Sequence, residues 1–358
     1  MTDSERVASR FDIQGILESV APIRMGHIHD SYISTWQTRL GLVRYLHQRI
    51  NNKIFPNVKE LMNNLRLITE HLRENSTPDK ESMVLVSADN GQDVWVDSDG
   101  AHWRTFKYIE NTEVFNHCPD TEHAFELGKA FSDFVVRLRD LPTSSLAVTI
   151  PNFFHAPTRV EQMKSSAASD KFGRFKTARK HFNFVLDRES YWTIISDLED
   201  KNILPQRLIH GDPKINNVLF DPKSGKAVCV IDLDTCMKSS ILYDFGDLVR
   251  TSGVDNLEDE PDTSLINVNL ALFEALAEGY FEKLRSLMTK PEVHFLTKAP
   301  RLVTLTIGIR FLTDYLDGDT YFKVEHREHN LERAKAQFYL VKIMEDLEPE
   351  MERILTNI

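Results

Sequence analysis

The stretch Ile209-His210-Gly211-Asp212-Pro213-Lys214-Ile215-Asn216-Asn217, followed by Asp232 at the end of Val228-Cys229-Val230-Ile231-Asp232, decides how this chain reads. Two short apolar, β-branched runs, Val218-Leu219-Phe220 and Ala227-Val228-Cys229-Val230-Ile231, flank the turn-rich Asp221-Pro222-Lys223-Ser224-Gly225-Lys226. That pattern predicts a β-hairpin. In an antiparallel hairpin the residue entering the first strand and the residue leaving the second lie side by side at the open end. Asn217 and Asp232 are therefore expected to converge, with Asp212 on the loop leading into that end. A carboxylate near an incoming hydroxyl, with an amide oxygen and a second carboxylate able to hold Mg²⁺ between nucleotide phosphates, is the set that kinase-type phosphoryl transfer uses. Hard oxygen ligands suit Mg²⁺. Asp212 is thus the expected catalytic residue, Asn217 and Asp232 the expected metal ligands, and His210 a structural brace of the loop.

With Asp234, Thr235 and Leu242-Tyr243-Asp244-Phe245-Gly246-Asp247 added, the pattern resembles the aminoglycoside phosphotransferase and choline kinase superfamily. Within it, Gly26-His27-Ile28, Gln48-Arg49-Ile50-Asn51, Ile54-Phe55-Pro56, Trp103-Arg104, Lys107-Tyr108-Ile109-Glu110 and Arg310-Phe311-Leu312-Thr313-Asp314-Tyr315-Leu316 are similar to the bacterial N-acetylhexosamine 1-kinases. The resemblance implies an α+β, two-lobed protein-kinase-like fold, with a small β-rich N-lobe and a larger, mainly helical C-lobe. It implies ATP and Mg²⁺ as cofactors. It also implies adenine contacts from the backbone of Tyr108 and Ile109, a sugar or phosphate contact from His27, sugar contacts from Arg310 and Tyr321, and a bracing role for Asp244. Asp247 joins Arg310 and Asp212 in the expected acceptor pocket. Kinases usually place a phosphate-pairing lysine on the strand that here runs Tyr45 to Ile50, and this strand has none. Gln48 or Arg49 is expected to stand in, and strand alternation puts the two on opposite faces. Glu60 on the next helix is the early candidate for a partner carboxylate. Asp234 could approach metal or substrate, or cap the turn that follows it.

The order of segments is consistent with two lobes, residues 1–110 binding nucleotide and 111–358 carrying catalysis and the acceptor site. Strands are expected at Val20–Ile23, Ser31–Trp36, Arg44–Ile50, Ser82–Val86, Val94–Val96 and Trp103–Ile109, with Asn90-Gly91 and Asp99-Gly100 as hairpin turns. Asn57 can cap a helix whose apolar positions Val58, Leu61, Leu65, Ile68 and Leu72 step at the spacing of one buried face. Asp120 precedes a second such helix, and Asn330–Leu355 reads as one closing helix. Composition bounds the function. At 358 residues and 41% hydrophobic the chain can bury substantial cores. A net charge of −11 argues against broad nucleic-acid binding. No apolar run approaches bilayer length. Three scattered cysteines form no disulfide framework, which fits a reducing, cytoplasmic setting. Neither His27 with His29 nor His326 with His329 has the further Cys or His that zinc requires.

The expected activity is an ATP-dependent kinase acting on the anomeric hydroxyl of N-acetylhexosamines or close hexoses, with no nucleic-acid or membrane partner. Two alternatives stay open: a kinase of another small alcohol, such as an aminoglycoside or a choline-like amine, and a nucleotide-binding pseudokinase.

Overall fold

The first third of the chain builds an antiparallel sheet. The computed structural model describes residues 3–23, 28–76, 80–256, 258 and 260–358. After a short helix α1 (Asp3–Ala8), strands β1 (Ile16–Ile23), β2 (Asp30–Thr38) and β3 (Gly41–Arg49) form a meander. Helix α2 (Val58–Glu74) then leaves the sheet, and β4 (Leu85–Val86), β5 (Trp95–Val96) and β6 (His102–Lys107) complete it. The order is β1-β2-β3-β6-β4, with β5 also on β6. Gly91 and Gly100 supply the positive φ at the two expected turns (+75° and +79°). Of the expected strand Ser82–Val86, Leu85 and Val86 pair in the sheet and Val84 O accepts from Lys107 N–H, while the preceding Glu81 N–H donates to Val228 O.

The two faces of this sheet bury different things. Trp36 and Trp103 pack with Val7 and Phe11 on one side. Phe106 and partly buried Leu46 face α2 on the other. Asn57 caps α2 by accepting from Glu60 N–H, and the expected stripe Val58, Leu61, Leu65, Ile68, Leu72 is buried.

From Thr121 the chain is mainly helical: α3 (Thr121–Arg137), α4 (Ala156–Ser169), α5 (Phe175–Leu186), α6 (Glu189–Trp192) and α7 (Ile194–Asp200). Strand β7 (Arg207–Ile209) pairs with β10 (Met237–Ser239), and between them stands the hairpin of β8 (Val218–Phe220) and β9 (Ala227–Val230), in the register Val218↔Val230. Helices α8 (Ile241–Ser252), α9 (Leu270–Leu284), α10 (Lys290–Phe295), α11 (Ala299–Leu316), α12 (His329–Asp346) and α13 (Glu348–Asn357) follow. Helix α11 is the axis of this lobe, buried along most of its length. The molecule is therefore an α+β protein with a sheet lobe and a helical lobe. The expected single closing helix is two, since Pro349 lacks the N–H that a helix interior needs and instead sits in the first turn of α13. Among the described residues no helix is long and apolar enough to cross a membrane.

Candidate active site

The site is built on the loop between β7 and β8. Gly211 turns it at φ +82°, and a β-carbon there would stand 2.4 Å from Thr235 O. Beneath, the buried Asp244 carboxylate at the start of α8 accepts from His210 N–H (2.7 Å) and Gly211 N–H (2.8 Å). Burial pushes Asp244 up to about 7, while those two amides favour its ionised form. His210 is fully buried: its Nε2 donates to Ile231 O (2.9 Å) and its Nδ1 accepts from Asp212 N–H (3.2 Å). Burial pushes its pKa down to about 4. A neutral imidazole with both nitrogens engaged ties the loop to the hairpin. It has no proton to spare for chemistry, so His210 and Asp244 occupy supporting positions.

The three expected catalytic groups stand at the hairpin's open end. Asn217 Nδ2 donates to Asp212 O (2.8 Å) and Asp212 Oδ2 (3.1 Å), which leaves its amide oxygen as the acceptor. Ile231 N–H donates to Asn217 O (2.9 Å) and brings the next residue, Asp232, to that end. Asp232 takes the left-handed conformation (φ 61°, ψ 59°), which Asp adopts more readily than most residues. Burial, and then the negative charges of Asp234 and Asp212, raise it to about 6. Lys214, two residues after Asp212, places Nζ 2.8 Å from Asp212 Oδ2. Burial alone would lower it, but the Asp212 and Asp232 carboxylates hold it above the usual lysine range. Sequence reasoning passed over Lys214, although its place in the loop was a usable signal.

On the far side of Asp212, helix α8 presents Asp247, whose Oδ1 accepts from Arg250 Nε (2.6 Å). Arg250 also donates to Glu258, and Thr251 Oγ1 donates to Pro213 O (3.3 Å). Burial pushes Asp247 up to about 6 against the pull of Arg250, with Asp212 adding to the rise. Arg310 and Tyr321 meet each other (3.3 Å), the guanidinium lying over the rings of Phe153, Tyr321 and Phe322. Among the described residues no hydrogen bond joins that pair to Asp212 or Asp247.

The sheet supplies the opposite wall. Tyr108 N–H donates to Arg44 O (3.0 Å), and Arg44 lies 4.2 Å over the Tyr108 ring while gripping Glu110. Ile109 on this wall, like Leu219 and Ile231 of the hairpin, is partly buried against the core cluster that includes Phe106 and Leu233. Gln48 accepts from Arg104 Nε (3.0 Å), whereas Arg49 points away and is half-exposed 3.9 Å from Asp30. Glu60 is exposed in the first turn of α2 and forms no part of this wall. His27 lies outside the described residues. Asp234 is enclosed by Arg104 (2.5 and 2.8 Å) and His29 (2.6 Å), pairings that span the two lobes and were not legible in the sequence.

A sheet lobe over a helical lobe, with this loop in the cleft, defines a phosphotransferase of kinase-like architecture. Residues 55–281 match the APH phosphotransferase enzyme family, and the chain belongs to it. The fold resembles a microcompartment-associated aminopropanol kinase (TM-score 0.59, 14% identity, 97% of each chain). It also resembles an aminoglycoside phosphotransferase from Alicyclobacillus acidocaldarius (0.62, 12%, 100% of this chain and 98% of that one). A third likeness is to a spectinomycin phosphotransferase solved with ADP and spectinomycin (0.57, 15%, 95% and 96%). At these identities the likeness is one of fold.

Proposed function

We propose that the protein transfers the γ-phosphoryl group of ATP to the anomeric hydroxyl of an N-acetylhexosamine or a close hexose. The observation that carries the phosphoryl-transfer part is the convergence of Asp212, Lys214, Asn217 and Asp232 at one end of a hairpin. Asp212 orients the acceptor hydroxyl and takes its proton as the new oxygen–phosphorus bond forms and the bond to the ADP oxygen breaks. Lys214 pairs with that carboxylate (2.8 Å) and faces the transferring group with a positive charge. The hard oxygens of Asn217 and Asp232 fit Mg²⁺, which when bound neutralises charge on the phosphates. Ile109, Leu219 and Ile231 are partly buried apolar residues that could face the adenine plane, with the backbone of Tyr108 and Ile109 beside them.

A neutral acceptor is favoured over a cationic one by the state of the acidic groups. Asp247 and Glu258 are both held by Arg250, Asp319 by Arg174 (2.6 Å) and Asn330 (3.0 Å), and Asp244 by loop amides. An amine entering beside Asp212 would find Asp244, Asp247, Glu258 and Asp319 already paired. Hydroxyls can exchange hydrogen bonds with these same pairs, and Arg310 with Tyr321 offers a further polar and aromatic wall for a sugar ring.

The test is ADP release with Mg·ATP across free hexoses, their 1-deoxy analogues, choline and kanamycin, beside Asp212→Asn. Turnover of N-acetylhexosamines that is absent with the 1-deoxy sugar and falls about 10²–10⁴-fold in the variant is the expected result. Turnover of choline or kanamycin alone would refute the sugar assignment.

A further inference from the structure

We propose that Arg104 and Asp234 form the ion pair that positions the metal-binding turn, in place of the strand-lysine and helix-glutamate pair that protein kinases use. The proposal rests on the reading of Asp232 as a metal ligand. Protein kinases align the nucleotide through a lysine on the third strand paired to a glutamate on the following helix. Neither half is present here. Strand β3 reads Gly-Leu-Val-Arg-Tyr-Leu-His-Gln-Arg, and its Arg44 is spent on Glu110. The buried residues of α2 are Val58, Leu61, Met62, Asn64, Leu65, Ile68, Thr69 and Leu72, which include no carboxylate.

The cation stands instead on the neighbouring strand. Arg104 pairs in register with Gln48 across β3 and β6, so both side chains share the face toward the cleft. Its two terminal nitrogens grip the two oxygens of Asp234 at 2.5 and 2.8 Å, and both side chains are 2% exposed. A buried ion pair holds only when its remaining hydrogen-bonding groups are satisfied. Here Arg104 Nε donates to Gln48 Oε1, and His29 Nε2 donates to Asp234 Oδ2 while its Nδ1 accepts from Asn51 N–H (3.1 Å). With both oxygens so engaged, Asp234 is a positioning residue.

What it positions follows from the chain. Asp234 lies in the single turn Leu233–Thr235, capped by Asp232 in its left-handed conformation. Thr149 Oγ1 donates to Asp234 O (3.3 Å), and Thr235 Oγ1 donates to His210 O (3.0 Å). Fixing Asp234 from the sheet therefore fixes Asp232 two residues before it, and through Thr235 the loop that carries Asp212. The ion pair runs from sheet to catalytic loop, with no helix interposed.

The experiment compares Arg104→Met, Asp234→Asn and the double variant with the wild type, by titrating ADP in Mg²⁺ and in EDTA, measuring kcat and KM, and recording thermal midpoints. The double variant matters because it leaves no buried charge uncompensated. We expect the Mg²⁺-dependent gain in ADP affinity to fall 10–100-fold, the range seen when groups that orient metal ligands are removed. Affinity in EDTA should stay within about twofold. Arg104→Lys should recover only part, since an ammonium cannot grip both oxygens. A folded double variant that keeps the wild-type Mg²⁺ gain would overturn the proposal. A wild type with no Mg²⁺ gain at all would overturn the role of Asp232 beneath it.

Discussion

Two buried histidines link individual side chains to acid stability. His47 sits between Ser34 Oγ and Thr105 Oγ1, at 2.7 Å from each, and burial pushes it down to about 4, as it does His210. An unfolded histidine titrates near 6.5. Between pH 6.5 and 4 the unfolded chain therefore binds protons that the native chain refuses, so each histidine's share of stability is complete above 6.5 and is lost as pH falls through that window. At about 1.4 kcal/mol per unit the full loss is roughly 3 kcal/mol each. Asp232, Asp244 and Asp247, all raised, act with the opposite sign over much of the same range, so the wild-type profile alone does not isolate the effect. The informative quantity is the stability difference between wild type and His47→Gln in urea, which should shrink by roughly 3 kcal/mol from pH 7.5 to pH 4. A difference that stays flat would show that His47 is not held neutral by burial. The same scale shows what sequence carries and what it does not. Asp212, Asn217 and Asp232 were legible because a hairpin joins them locally. Arg104 and His29 lie 130 and 205 positions from Asp234, and no local pattern encodes such a meeting.

Among the elements, the crossing of α3 and α9 is set by two glycines, Gly128 and Gly279, whose close approach hydrophobic periodicity does not reveal. A β-carbon on Gly128 would stand 2.2 Å from Leu276 O, and one on Gly279 would stand 2.0 Å from Phe125 O. The helices thus touch backbone to backbone, with Ser132 Oγ donating to Gly279 O (3.2 Å). Periodicity marks which face of a helix is apolar, and the buried stripes of α2 and α3 were read that way. It does not say how closely two helices approach, because that depends on the residue each meets. Gly279→Ala gains about 1 kcal/mol of helix propensity but meets backbone atoms that cannot rotate aside. Overpacking of this kind costs about 1–3 kcal/mol or more and here requires the helices to separate. We expect a net loss of about 2 kcal/mol, read as a lower urea midpoint at unchanged slope. An unchanged or raised midpoint would mean that the crossing is looser than these distances require.

For the whole molecule, one buried core takes residues from both sides of position 110, where the sequence suggests a division into lobes. Ile50, Phe55, Leu65 and Phe106 from the first 110 residues share one buried cluster with Phe134, Leu138, Leu208, Cys229 and Leu233. The Arg104–Asp234 pair crosses the same junction, as does the hydrogen bond from Glu81 N–H to Val228 O. Unfolding the sheet lobe alone would expose the apolar side of the hairpin and strip Asp234 of both Arg104 and His29. The two lobes should therefore unfold together, in contrast to domains that meet only at a polar interface. Calorimetry of the ligand-free chain is expected to give one transition whose measured enthalpy equals the van't Hoff value. Mg·ADP should move that single peak upward without splitting it, by about 2.7 kcal/mol of stability at a hundredfold excess over Kd. Two separable peaks, with ligand shifting only one, would show that the lobes are independent folding units. The shared cluster would then be an interface formed after each lobe has folded.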